Sequence, residues 1–345
     1  MSRARTIATK VTSAEVARRA GVSQSAVSRV FTPGASASAE TAKKVRAAAA
    51  ELGYRPNVLA RAMVSGKSRI IGLVVAYLEN YFYPDALEKL SKALQARGYH
   101  VLVFMAAPQG EDLETVVEEI LDYQVDGIIA ASISLSSDLA QRCRGAGVPI
   151  VLFNRTQDGD SFSAVTSDNY GGGQRVAEFL VAGGHTRIAY IAGTEGVSTQ
   201  AAREAGFTDA LTRAGWPLFA RAQGDYNMER AKEATRQIFA APNRPDAVFV
   251  ANDHMAFGVI DVLRGELGLR VPEDVSVVGY DDVPPAAWGG YDLTTVRQPA
   301  APMVAATVEI LLSQIEDRGA APRAVELPAE LVLRGSARIP KGWPT

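Results

Sequence analysis

From Ile70 onward, short apolar runs alternate with amphipathic stretches, and this alternation narrows the choice of fold more than anything else in the sequence. Strand-like runs separated by roughly 12 to 18 helix-compatible residues give parallel sheets with right-handed crossovers, an α/β architecture. The strand candidates form two series. The first is Ile70–Ala76, His100–Met105, Gly127–Ala131, Ile150–Phe153 and Ala164–Thr166; the second is Arg187–Ile191, Ala220–Ala222, Ala247–Val250 and Val275–Val278. Helices are predicted at Gly172–Ala182, Ala201–Ala214, Met228–Phe239 and His254–Leu267. Two successive open sheets predict two lobes with a cleft between them, and ligands in such folds bind beyond the carboxyl ends of the strands.

Residues 1–69 have another texture. Thr12-Ser13-Ala14-Glu15 has the spacing of a capping box, so a helix is predicted from Ser13, with Val16, Ala17 and Ala20 on one face and Gly21 as its stop. Ser23 caps a second helix that buries Val27, Val30 and Phe31. Ser38 caps a third, with Val45, Ala49 and Leu52 on one stripe before Gly53 and Pro56. Three short helices make one small all-α core. Asn57 caps a further short helix, Val58–Val64, that is marginal in isolation.

Charge separates the two parts. The whole chain has a net charge of -2, but residues 1–69 hold 13 of the 36 Lys and Arg and only three of the 38 Asp and Glu. A head of +10 on a body of -12 points to a polyanion as the head's partner. A helix–turn–helix inserts the start of its second helix into the major groove. Gln24, Ser25, Ser28 and Arg29 occupy that position; Arg29 suits guanine and Gln24 suits adenine, while Thr12, Ser23, Ser38 and Thr41 are the flanking groups expected on phosphates and groove edges.

Other chemistries find little support. No apolar run reaches the roughly 20 residues of a membrane span. Met1–Lys10 has no signal-peptide core, so a cytoplasmic location is expected. The single Cys143 argues against disulfides and reads as a small buried filler, and His100, His185 and His254 lack metal-ligand spacing. Tyr170-Gly171-Gly172-Gly173 has neither dinucleotide nor nucleotide-loop spacing and is better read as close packing at a helix start. Neither catalysis nor a cofactor is expected. A transport binding protein would need a secretion signal and no basic head, and a nicotinamide enzyme would need a dinucleotide fingerprint.

The run from Glu15 to Val30, EVARRAGVSQSAVSRV, resembles the head of the LacI/GalR family of bacterial transcriptional regulators. Tyr54-Arg55-Pro56-Asn57 with Leu59-Ala60-Arg61-Ala62-Met63 is similar to that family's hinge. The likeness continues through Val250-Ala251-Asn252-Asp253, Val278-Gly279-Tyr280-Asp281-Asp282 and Leu333-Arg334-Gly335-Ser336.

The resemblance implies a helix–turn–helix domain over 1–56, a hinge helix and linker over 57–69, and an effector-binding and dimerisation core over 70–340. That core would be periplasmic-binding-protein-like (type I), its first lobe about 70–166 plus 297–324 and its second about 167–296 plus 325–340. It also implies a homodimer on pseudopalindromic double-stranded operator DNA, with Asn57, Ala60, Arg61 and Met63 in the minor groove. Met63 stands where the family usually has a wedging Leu. The absence of a heptad tail favours a dimer over a tetramer. Effector contacts are implied at Phe82, Tyr83, Asn154, Arg203, Tyr226, Asn252 and Asp281, with Arg203 expected to start a helix and Asp281 to accept from ligand hydroxyls. Ala300 replaces a family aromatic, and Arg155 stands beside Asn154. The effector class implied is a sugar or sugar derivative.

Overall fold

The computed structural model describes residues 11–32, 35–55, 67–76, 78–107, 113–131, 133, 137–157 and 162–344. The chain divides into two compact units, Met1–Arg69 and Ile70–Thr345.

In the first unit, α1 (Ser13–Ala20), α2 (Gln24–Phe31) and α3 (Ala39–Leu52) start where hydroxyl side chains replace missing helical acceptors. Thr12 forms the capping box with Glu15, and Ser23 and Ser38 accept from Ala26 N and Thr41 N. Gly21 and Gly53 end α1 and α3 in the left-handed region, which only glycine enters without steric cost. Val16, Val27, Val45, Ala48 and Ala49 are buried together, and Phe31 meets Tyr54 with ring centroids 5.9 Å apart. Each buried Val contributes about 1.5–3 kcal/mol. All three acids are engaged within the head: Glu15 with Thr12, Glu40 with Lys44, and Glu51 with Arg19.

The second unit has two sheets. In the first, β1 (Ile70–Val75), β2 (His100–Met105), β3 (Gly127–Ala131), β4 (Ile150–Phe153), β5 (Ser163–Ser167) and β11 (Ala324–Leu327) run parallel in the order β11-β5-β4-β3-β1-β2. In the second, β6 (Ile188–Ala192), β7 (Ala220–Gln223), β8 (Ala247–Val250), β9 (Ser276–Asp281), β10 (Thr294–Arg297) and β12 (Glu330–Val332) follow the order β12-β10-β9-β8-β6-β7, with β12 antiparallel. Strands β1, β3, β4, β6, β8 and β9 are buried along their whole length, as helix-covered parallel strands must be.

The crossovers are α4 (Phe82–Ala96), α5 (Leu113–Asp122) and α6 (Ser137–Gly145) in the first lobe, and α7 (Asn169–Ala182), α8 (Ser198–Arg213), α9 (Met228–Phe239) and α10 (Asp253–Asp261) in the second. Helix α11 (Ala300–Glu316) returns to the first sheet, where Leu311 and Ile315 pack on Gly127. The backbone passes between lobes at 167–169, 297–300 and 327–330. The boundary expected at 324/325 is therefore displaced: Ala324–Leu327 pairs in register with Ala164–Ser167 and belongs to the first lobe.

Two helix predictions are also corrected. The helix expected over His254–Leu267 changes pitch, with α10 widening into a π-helical turn at Val262–Glu266. The stretch expected from Ala201 starts three residues earlier, at Ser198. The glycine run packs closely, as expected. A Cβ on Gly173 would sit 2.2 Å from the Arg203 carbonyl, and one on Gly206 would sit 2.0 Å from the Tyr170 carbonyl, so α7 and α8 touch backbone to backbone. Cys143 is buried in the first lobe, and burial pushes its thiol up to about 11.

Candidate functional site

Ser23, Gln24, Ser25, Ser28 and Arg29 are all exposed, Ser23 as the cap of α2, Gln24 and Ser25 in its first turn, and Ser28 and Arg29 one turn further along. Several have local partners. Gln24 donates to the Ser13 hydroxyl (2.8 Å), the Ser23 and Ser25 hydroxyls are 2.9 Å apart, and Arg29 Nε reaches the Ser25 carbonyl at 3.4 Å. The Gln24 bond spans the two helices of the turn and orients its amide. Thr12 and Ser38 serve as helix caps, with Thr41 accepting from the Ser38 hydroxyl. The hinge positions Asn57, Ala60, Arg61 and Met63 lie outside the described residues.

In the body, the expected effector residues stand beyond strand carboxyl ends. Phe82 and Tyr83 open α4 after β1, Asn154 follows β4, Tyr226 follows β7, Asn252 precedes α10 after β8, and Asp281 ends β9. Asn154 (φ 57°), Tyr226 (φ 57°) and Asp281 (φ 119°) all have positive φ, a strained geometry for non-glycine residues that concentrates at functional sites. Tyr226 lies flat over Gly193, where a Cβ would meet its ring at 2.3 Å.

Arg203 is the most heavily engaged of the set. It lies in the second turn of α8 rather than at its start, and it is only 2% exposed. Nε donates to Asn169 Oδ1 (2.8 Å) and Nη1 to the Ala251 carbonyl (2.6 Å), while the guanidinium lies over the Tyr280 ring. Nη2 is 3.5 Å from Asp281 Oδ1. Burial opposes its charge, but Asp281 and the surrounding tyrosines more than offset this and keep it protonated.

Asp281 accepts two side-chain hydrogen bonds and has one cation beside it. Asn80 Nδ2 binds Oδ2 (3.0 Å), Gln298 Nε2 binds Oδ1 (2.7 Å), and Arg203 stands beside Oδ1. Burial raises its pKa, and Arg203, Asn80 and Gln298 pull the other way. The buried Asp253 is held by the Thr295 hydroxyl (2.5 Å) and Val283 N (3.0 Å); burial, then the charge of Asp281, push it well above the carboxylate range. Asp281 was expected to accept from ligand hydroxyls; in the structure each of its oxygens already accepts one protein donor, which leaves a further lone pair on each.

Three other expected residues present buried polar atoms without a hydrogen-bond partner among the described residues: Asn154 Oδ1, Tyr226 Oη and Asn252 Nδ2. Asn154 Nδ2 donates to Tyr83 Oη (3.4 Å), and Asn252 Oδ1 caps α10 through Met255 N (3.0 Å). Burying such atoms unpaired costs about 1–3 kcal/mol each, so their orphaned faces mark a place for a polar guest. Phe82 is 3% exposed and Tyr83 5%; the Phe82 ring stacks on Phe153 (6.2 Å) and meets Tyr83 edge-on (5.4 Å). Arg155 is buried and bonds Thr199 Oγ1 across the lobes (2.8 Å).

Sequence reasoning missed Asn80, Gln298, Asn169 and Asp253. Asn80 had a local signal, an Asn two residues before a helix start, where its Oδ1 accepts from Phe82 N (3.1 Å).

A family model for bacterial regulatory proteins of the lacI family matches residues 12–57, and one for a periplasmic binding protein-like domain matches residues 177–337. The ribose operon repressor of Escherichia coli (strain K12) is 32% identical over 329 residues, 94% of this chain and 98% of the relative. The chain belongs to the LacI family. As a LacI-family protein it is a DNA-binding transcriptional regulator whose body is built to bind a small-molecule effector. Among solved structures, the Lac repressor dimer bound to operator and the anti-inducer ONPF is 30% identical with a TM-score of 0.84, covering 95% of this chain and 99% of that one. The cellobiose complex of the regulator CelR is 32% identical with a TM-score of 0.72, covering 95% and 100%.

Proposed function

We propose that this LacI-family regulator is a cytoplasmic repressor that binds a pseudopalindromic operator as a homodimer, with its operator affinity set by a neutral sugar or sugar derivative held between the lobes of its body. It acts by binding rather than by catalysis. In the head, Gln24, Ser25, Ser28 and Arg29 read base edges, and the hydroxyls at the helix starts with the surrounding Lys and Arg fix the register on phosphates. In the hinge, Asn57, Ala60 and Arg61 face the minor groove and Met63 takes the wedge position.

The observation that carries the effector reading is the set of buried, unpartnered Asn154 Oδ1, Tyr226 Oη and Asn252 Nδ2. Together they offer an acceptor, a donor–acceptor and a donor, the complement of vicinal hydroxyls. The Arg203 charge is already matched by Asp281, which favours an uncharged polyol over an anion. The operator and sugar complexes of the Lac repressor and CelR support the same assignment. A change in lobe angle, carried to the hinges, alters operator affinity through a coupling of about 1–3 kcal/mol.

The test is a thermal-shift and calorimetric panel of neutral sugars, sugar acids and purines on the full chain, followed by gel shifts on selected genomic fragments with and without the hit. A neutral sugar that stabilises the protein and changes operator affinity supports the reading. Binding confined to anions or purines, or a hit that leaves operator affinity untouched, overturns it.

A further inference from the structure

Gln24 is tied across the helix–turn–helix, whereas its neighbours are tied along it. The Ser25 hydroxyl meets that of Ser23 at the cap of α2, and Arg29 Nε reaches back to the Ser25 carbonyl, both within one helix and its cap. Gln24 Nε2 instead donates to the hydroxyl of Ser13, the first residue of α1 (2.8 Å). The Ser13 end of this bond is well anchored. The Thr12–Glu15 capping box fixes the start of α1 beside it, and Val16 and Val27, buried in one cluster with Val45, hold α1 against α2. Ser13 is half-buried, and Gln24 is exposed. A carboxamide has two chemically opposite ends, an NH2 that donates and an oxygen that accepts. With one N–H spent on Ser13, Gln24 keeps Oε1 and its second N–H. In the major groove adenine sets an N6 donor beside an N7 acceptor and satisfies both. Cytosine offers that oxygen its N4 donor alone, and the guanine and thymine edges offer it no donor. An amide without the tether turns end for end and presents its NH2 to guanine or thymine as readily.

We infer that Ser13 is a positioning residue for sequence specificity: its hydroxyl holds the Gln24 amide with the acceptor end left for the groove, so that Gln24 selects adenine in each half-site and rejects guanine and thymine. This rests on the base-reading head proposed above and adds to it a residue of the other helix, which acts through Gln24. A side chain held in this way gives up its rotamer freedom on folding rather than on binding. The wrong base then meets an acceptor with an acceptor, a repulsive element that sharpens the choice.

The test takes the full chain through selection on a randomised duplex library, as the parent and as Ser13→Ala, Ser13→Thr, Gln24→Ala and the Ser13→Ala, Gln24→Ala double variant. The parent enriches adenine over guanine by about tenfold or more at one position of each half-site. Ser13→Ala keeps the Thr12 cap, so the head stays folded by circular dichroism. In that variant the ratio falls to about threefold or less, while the position read by Arg29 keeps its preference. Ser13→Thr retains a hydroxyl and restores the ratio. Gln24→Ala loses it outright, and adding Ser13→Ala to Gln24→Ala changes nothing more. An undiminished ratio in Ser13→Ala overturns the inference, as does a Ser13→Thr variant that behaves like Ser13→Ala. So does a further change when Ser13→Ala is added to Gln24→Ala, which would mean that Ser13 meets the DNA itself, and so does a parent that selects guanine or thymine at the Gln24 position. A parental profile in Gln24→Ala defeats the base-reading role given to Gln24 and the inference with it. A failure confined to the Ser13 variants leaves that role intact.

Discussion

The guanidinium of Arg203 lies 3.7 Å from the centroid of the Tyr280 ring, and the next residue of the same strand, Asp281, supplies the countercharge. Ring, cation and carboxylate form a preassembled unit on the second lobe, which fixes one wall of the cleft whatever occupies it.

Removing the cation has two separable effects. Arg203→Ala leaves Asp281 buried without its countercharge and frees the Ala251 carbonyl, at a stability cost of about 3 kcal/mol. Effector response is lost and operator binding is retained below the melting temperature. Arg203→Lys does not rescue the response, because a single ammonium cannot serve Asn169, Ala251 and Asp281 from one plane. Calorimetry on the effector and gel shifts on the operator check both halves; parallel loss of both activities in a folded variant contradicts the assignment.

In the head, Arg29→Ala relaxes sequence preference at one base pair in each half-site, with discrimination falling by about 1–3 kcal/mol there. Lys67→Ala instead lowers the slope of log affinity against log salt by about one and leaves the sequence profile intact. Selection on a randomised operator library, repeated at several ionic strengths, distinguishes the two.

Stability should depend on pH through His185. Burial, helped by the Arg338 charge and opposed by Asp246, lowers its pKa to about 4, whereas the unfolded chain protonates it near 6.5. Between those values the unfolded state binds more protons, so stability is full above pH 6.5 and declines as pH falls toward 4, by about 3 kcal/mol. His254, lowered mainly by burial, adds in the same direction. Chemical denaturation from pH 7.5 to 4.5 shows this slope in the parent, and His185→Gln reduces it; equal slopes would remove His185 as the cause.

Gly173→Ala drives a methyl group into the Arg203 backbone and separates α7 from α8, costing about 1–3 kcal/mol and weakening the effector together with stability. Gly145→Ala, whose Cβ meets nothing within 4 Å, is the matched control and stays near neutral. Melting curves of the two variants decide the matter.

The strands His100–Met105, Gly127–Ala131, Ile150–Phe153 and Ala247–Val250 were legible to the residue because apolar runs there end at Gly, Pro, Ala or polar breaks. Strands β10, β11 and β12 were not read as strands. Thr294–Arg297 is largely polar, Ala324–Leu327 is a weak alternation, and Glu330–Val332 is three residues long. Their structure comes from distant partners, such as Ala164 for Ala324, and no local pattern encodes such a pairing. The site shows the same division. The placement of these residues at strand ends was legible, but the commitment of Asp281 to Asn80 and Gln298 is a relation between far-apart segments, and it appears only once the sheets are assembled.

The last passage between lobes consists of Pro328 and Ala329, between β11 and β12. Two residues span only about 10 Å from strand end to strand end even when fully drawn out. This tether can swivel but cannot lengthen, so the lobes tilt about a nearly fixed axis and never drift apart. With the axis held there, opening is a matter of rotation alone, and a guest is admitted by a change of lobe angle rather than by the two halves parting.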